Sequence, residues 1–155
     1  MSTTVKADTA IFEYTVKVYH AAFDRLEGVA NLLFSMTFEP IPVSTMENSI
    51  SRGGNSMGLK PENGPVVVVL FYTSWDSASD DELVYNVNRD ALASIEKEAQ
   101  SNDVSSSYRY LNYAFPHQDP FGSYGPEAKA ELLRVSAKYD PDGFFQSAGA
   151  GPFKL

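Results

Sequence analysis

Val66-Val67-Val68-Val69-Leu70-Phe71-Tyr72 is the longest apolar run of the chain. It is far too short to cross a bilayer, and its β-branched residues favour extended backbone. An unbroken apolar run of this kind predicts a strand over 65–74, buried on both faces at the centre of a sheet. Downstream, Ser79-Asp80-Asp81-Glu82 reads as a capping box. The helix it opens is expected to run to about residue 100, with Leu83, Val87, Asp90, Ala91 and Ile95 near one stripe. Upstream, residues 33–39 alternate strictly. Phe34, Met36 and Phe38 face one way, Ser35, Thr37 and Glu39 the other, and Pro40 and Pro42 end the strand.

Further out the signals are mixed. Residues 43–64 carry Ser, Asn, Gly and Pro without a period and read as a long loop centred on Arg52-Gly53-Gly54-Asn55-Ser56-Met57-Gly58. Residues 11–18 are β-rich and partly alternating, which predicts a strand. From Tyr19, the spacing of Ala22, Phe23, Leu26 and Ala30 predicts a helix. A fourth strand is expected over 107–114. A last helix opens at Gly125-Pro126-Glu127 with Ala128, Leu132, Val135 and Tyr139 in register. Residues 1–9 and 148–155 are expected as flexible tails. The order is β-α-β-β-α-β plus a helix, a ferredoxin-like α+β domain with an antiparallel four-stranded sheet and its helices on one face. The other face then needs a cover.

The length of 155 residues suits one ordinary domain. Lys and Arg number 12 against 20 Asp and Glu, a net charge of −8. Phosphate contacts need a surplus of cations, so the balance argues against nucleic acid and against an anionic membrane surface. The absence of cysteine excludes a thiol nucleophile, a thiolate metal site and a disulfide scaffold. With no targeting segment in view, a soluble cytoplasmic protein is the expected setting.

Few motifs carry chemistry. There is no Gly-x-Ser-x-Gly elbow, and His20 and His117 stand on different elements. His117-Gln118-Asp119 could offer two metal ligands but no third, so no metal site is expected. Gly53-Gly54-Asn55 lacks the phosphate-loop pattern and reads as turn chemistry, though Arg52 beside it could clamp an anionic group. As a strand, 108–113 would place Tyr108, Tyr110 and Asn112 on one face and Arg109, Leu111 and Tyr113 on the other. Tyrosines around an amide suit either a planar conjugated ligand or ordinary sheet packing. Glu39, at a strand end before Pro40, is either a solvated carboxylate or a proton-transfer group at an apolar cavity. Tyr72 and Asp119 are weaker versions of the same idea.

Three stretches together resemble one family. They are Thr37-Phe38-Glu39-Pro40-Ile41-Pro42, the Arg52–Leu59 loop, and Tyr110-Leu111-Asn112-Tyr113 with the downstream Gln118-Asp119-Pro120, Tyr124-Gly125 and Lys138-Tyr139-Asp140-Pro141-Asp142-Gly143-Phe144-Phe145-Gln146. Over residues 10–147 the chain is similar to the C-terminal half of fungal FAD-linked oxidases of the berberine-bridge-enzyme-like group. The resemblance implies a substrate domain whose sheet roofs the flavin, with Tyr110, Asn112 and Tyr113 lining the ligand site. The family often has Gln where Glu39 stands. Its flavin-binding domain, pyrophosphate loop and flavin-tethering residues have no counterpart here, so no FAD is expected unless a separate flavin domain supplies it.

The expectation is a flavin-free isomerase or cyclase, such as a pericyclase, acting on a conjugated intermediate of secondary metabolism. Glu39, Tyr110 and His117 are the expected catalytic residues. Phe38, Arg52, Asn55, Tyr72, Tyr108, Asn112 and Tyr113 are the expected substrate contacts. A homodimer would cover the open sheet face. The alternatives are the substrate half of an FAD-linked oxidoreductase and a non-catalytic ligand-binding module.

Overall fold

The computed structural model describes residues 1–149 and 151–155; Ala150, inside the expected tail at 148–155, lies outside the described residues. The apolar run does form the middle of a sheet. Strand β3 (Val66–Ser74) lies between β1 (Ser2–Lys6) and β2 (Leu33–Ile41), both antiparallel to it. The register aligns Thr4, Val68 and Glu39 in one row across the three strands. Because β1 and β2 both oppose β3, they run parallel to each other, and helix α1 (Thr9–Asp24) joins them as a split βαβ unit.

Helix α1 and helix α3 (Asp81–Ser101) cover one face. Strand residues Val5, Phe34, Val67, Val69 and Phe71 meet Val84, Val87, Ala91, Leu92, Ile95 and Ala99 of α3 there. The Val, Leu, Ile and Phe side chains among them contribute about 1.5–3 kcal/mol each when fully buried. The buried stripe of α3 is centred on Val84 and Leu92, while Leu83 turns outward. Asn88 inside it is satisfied by donating to the Val84 carbonyl and accepting from the Thr73 hydroxyl.

Two predicted strands are corrected. Residues 11–18 are helical, and the first strand is Ser2–Lys6 instead. The segment carries both periods. Phe12, Tyr14, Val16 and Val18 alternate, but Ile11, Thr15 and Ala22 fall on one helical face and are buried. Asp8 decides between them, because its side chain caps the helix by accepting from the Ile11 amide at 3.0 Å. The buried Thr15 hydroxyl is satisfied by the Ile11 carbonyl at 2.7 Å. The amino-terminal stretch expected as a tail thus holds β1, with Thr3 and Val5 fully buried.

The expected fourth strand at 107–114 is also absent. Its place beside β1 is marked by one bridge, Val5 to Ser105, and by the Lys6 amide donating to the Val104 carbonyl at 2.8 Å. Beyond it the chain leaves the sheet and closes a 3₁₀ turn at Leu111–Tyr113. The Arg109 guanidinium substitutes for the missing ladder. It donates to the carbonyls of Ser106, Ser107 and Tyr108 and pairs with Glu96 of α3 at 2.6 Å.

The second face of the sheet is covered by the chain itself around Val68, while its other end, with Leu33, Thr37 and Tyr72, stays exposed. The segment expected as one loop contains helix α2 (Val43–Ile50) and a 3₁₀ turn at Pro61–Asn63. Short α4 (Pro120–Ser123), then α5 (Pro126–Tyr139) and α6 (Phe144–Ser147), complete the chain. Val68, Tyr108 and Tyr124 form a second buried cluster with Met57, Leu59, Phe121 and Leu132. Gly58 makes this packing possible. At φ +71°, a Cβ there would sit 1.9 Å from the Tyr124 carbonyl oxygen.

Candidate functional site

Between the second face of the sheet and α2 lies a cleft of about 300 Å³, lined by Glu39, Ile41, Met46, Met57, Val68 and Tyr110 together with Pro40, Thr45, Ser49, Asn55, Leu59 and Tyr108. Five segments converge there: β2, α2, the loop at 55–59, β3 through Val68, and residues 108–110. Strand β2 supplies Glu39 and Ile41, because alternation sends every second side chain to this face. Helix α2 turns Met46 inward, where it is fully buried. The turn at Leu111–Tyr113 brings the tyrosines over the strand.

That turn changes which tyrosines act together. On a strand, Tyr110 and Tyr113 would face apart; here their rings meet edge to face with centroids 5.0 Å apart. The Tyr113 hydroxyl donates to Glu39 Oε1 at 2.8 Å. This bond to the carboxylate, with burial and the nearby negative charge adding to it, holds the Tyr113 phenol above its ordinary pKa. The Asn112 amide donates to the Tyr110 hydroxyl at 2.9 Å. Tyr108 is buried deeper, stacked on Tyr124 at 5.7 Å, with its hydroxyl directed at Met57 Sδ at 3.4 Å. Burial raises the pKa of both Tyr108 and Tyr124. Asn55 Oδ1 accepts from the Met57 amide at 2.9 Å and so shapes the loop that carries Met57 into the cleft.

Of the residues singled out from sequence, Glu39, Asn55, Tyr108 and Tyr110 line the cleft, and Tyr113 is bonded to its carboxylate. Asn112 acts on Tyr110 from an exposed position. The others stand elsewhere. Phe38 points to the opposite face of β2 and packs on Phe12 with centroids 5.2 Å apart. Tyr72 shares the sheet face but lies at the far end of β3 and is 55% exposed. Arg52 is exposed in the turn after α2 and does not line the cleft. His117 lines a separate, polar cleft of about 700 Å³ at the outer edge of β1, near Arg89, Glu96 and Arg109. Met46, Met57 and Ile41 are among the contributors that sequence reasoning missed, along with Pro40, Thr45, Ser49, Leu59 and Val68. The helical spacing of Val43, Met46 and Ile50 was the available signal.

The arrangement pairs an apolar chamber with one carboxylate and two phenols. No Lys, Arg or His lines it among the described residues. Nor do the described residues contain a cluster of three or more His, Asp or Glu suited to a metal. No described helix is long and apolar enough to cross a membrane.

No family model and no solved structure matches the chain. Curated relatives do. The FAD-dependent monooxygenase drtC of Aspergillus calidoustus is 33% identical over 153 residues, covering 97% of this chain and 29% of its own length. The FAD-dependent monooxygenase sdcF of Emericella nidulans is 37% identical over 131 residues, covering 84% of this chain and 27% of its own. The bifunctional solanapyrone synthase of Alternaria solani is 34% identical over 131 residues, covering 84% and 24%. The chain therefore has fungal FAD-dependent monooxygenases as homologues and spans less than a third of their length.

Proposed function

We propose that the cleft binds a small conjugated molecule and that Glu39, held by Tyr113, moves a proton on it. The observation that carries this is the 2.8 Å bond from the Tyr113 hydroxyl to Glu39 at the edge of a mainly apolar chamber. A carboxylate so placed acts as a general base, and a phenol fixed against it keeps one oxygen in a constant orientation. Tyr110, whose hydroxyl accepts from Asn112, keeps its own proton to donate to a carbonyl oxygen of the ligand. Together these groups support isomerisation or cyclisation. Glu39 takes a proton from carbon, Tyr110 stabilises the enolate oxygen, and the proton returns further along the conjugated system. His117 stands outside this scheme because it lines the other cleft.

FAD, which the homologues imply, does not fit this cleft. Its pyrophosphate would meet the Glu39 carboxylate with no cation among the described lining residues, and about 300 Å³ is the lower end of the range for ordinary small-molecule sites. No step is therefore assigned to a flavin. The second reading is that the chain is the substrate-binding part of an FAD-linked, berberine-bridge-like oxidoreductase. Its support is that the homologues are FAD-dependent and are spanned only to 23–29% of their length. A bifunctional synthase among the relatives favours keeping both activities in view.

The test uses a bicyclic β,γ-unsaturated ketone and follows the absorbance of its conjugated isomer. The chain is expected to accelerate conversion without FAD, and Glu39→Gln to lower that rate by roughly a hundredfold. Equal rates for the two proteins, with the ketone shown to bind, would overturn the proton-transfer reading. Conversion only after a separate flavin-binding chain is added would favour the second.

A further inference from the structure

The lining of the cleft also selects among ligands by charge. Resting on the reading that this cleft is the substrate site, we infer that it takes a compact, largely apolar molecule whose polar head is neutral or cationic, such as a ketone, a hydroxyl or a protonated amine, and refuses carboxylates, sulfates and phosphates.

Three observations converge on this. The first is the wall itself: two methionines, aliphatic side chains, tyrosine rings and the neutral polar Thr45, Ser49 and Asn55, with Glu39 as its single charged group among the described residues. An anion entering would leave water for a medium of lower dielectric and meet like charge without a counterion, and both effects oppose it. The second is the hydrogen-bonding inventory. Glu39 Oε1 is occupied by Tyr113, while Oε2 accepts from no donor among the described residues. An acceptor with a vacant lone pair tolerates a neutral head, gains from a donor and repels a further anion, and an adjacent tyrosine ring adds attraction when that donor is cationic. The third is the placement of the surrounding cations. Arg52, which could have clamped an anion, is outside in an exposed turn. Lys60 is paired with Glu127 at 3.1 Å, and Arg109 is spent on Glu96 and three carbonyls.

Three ligands on one scaffold test this: naphthyl-ethylamine, naphthyl-ethanol and naphthyl-acetate, titrated into the intact chain. The chain has four methionines, so the methyl NMR signals of Met46 and Met57 locate binding while those of Met1 and Met36 serve as controls. The amine and the alcohol are expected to shift Met46 and Met57, with the acetate at least about tenfold weaker. Thr45→Lys, which adds an ammonium at the wall, is expected to bring the acetate to within a few-fold of the alcohol. Acetate binding as tight as the alcohol in the unaltered chain would overturn the charge selection and leave the site intact. Failure of all three to shift Met46 and Met57 would overturn the site, and the charge selection with it.

Discussion

Glu39 owes its place to its immediate neighbours in sequence. The alternation of 33–39 sets the face it occupies; contrary to expectation, β2 does not stop at Pro40 but runs through it to Ile41, and Pro42 then stands at the N-cap of α2. The face is legible in one dimension. Tyr113 was named through the family resemblance, but its pairing with Glu39 was not legible, because a tyrosine-rich alternating stretch looks like a strand, and on a strand Tyr113 would face away from Tyr110. Phe38 shows the converse. It neighbours Glu39 in sequence and shares the matched motif, yet alternation carries it into the opposite layer, where it meets Phe12. Gly58 is the residue on which the loop's approach to Tyr124 turns. Gly58→Ala adds a methyl 1.9 Å from a backbone oxygen, at a φ that L-residues rarely adopt. The expected loss is about 1–3 kcal/mol or more in denaturant unfolding. The ketone conversion rate should fall with it, since Met57 and Leu59 belong to the same loop.

Among the elements, β2, β3 and α3 were readable because each carries one dominant period or an unbroken apolar run. The first strand and α1 were not, because residues 11–18 satisfy both periods, and a capping aspartate three residues upstream of the first buried position decided the outcome. Helix α2 was hidden in a polar stretch, with only Met46 fully buried to mark it. The missing fourth strand has an explicit replacement in Arg109, whose guanidinium holds 106–108 through three carbonyls and ties them to Glu96. Glu96 Oε1 also accepts from the Thr3 hydroxyl at 2.7 Å, so β1, α3 and this segment share one polar knot. Arg109→Met is expected to cost about 1.5–3 kcal/mol, the range for hydrogen bonds to charged groups in partly buried settings. It should also release the 106–113 segment. Faster amide exchange there, with β2 and β3 unchanged, would show the knot acting locally. Uniform loss of protection would show instead that the whole fold depends on it.

At the scale of the molecule, the sheet divides the chain into a helical layer that holds the main core and a tyrosine-lined layer that holds the proposed site. The β-α-β-β order announced the first. The second came from residues 43–64 and 105–139, where loops and short helices converge through long-range contacts that no local period records. A consequence appears at high pH. Among the nine tyrosines, Tyr108, Tyr113 and Tyr124 have raised phenol pKa values, so the folded state holds those protons more tightly than the unfolded chain. Their contribution is fully present below the ordinary tyrosine pKa of about 10 and is lost as pH rises from there through the folded values. An ultraviolet phenolate titration should show these three titrating late, and unfolding should become easier above about pH 10. Conversion of the ketone, by contrast, is proposed to depend on one carboxylate and its phenol partner. The most direct measurement is solvent-deuterium exchange at the α-carbon of the bound β,γ-unsaturated ketone, read by NMR for the unaltered chain, Glu39→Gln and Tyr113→Phe. Exchange in the unaltered chain, slowed roughly a hundredfold in Glu39→Gln and by a smaller factor in Tyr113→Phe, is the expected result. Equal exchange in all three, with the ketone bound in each, would contradict the account.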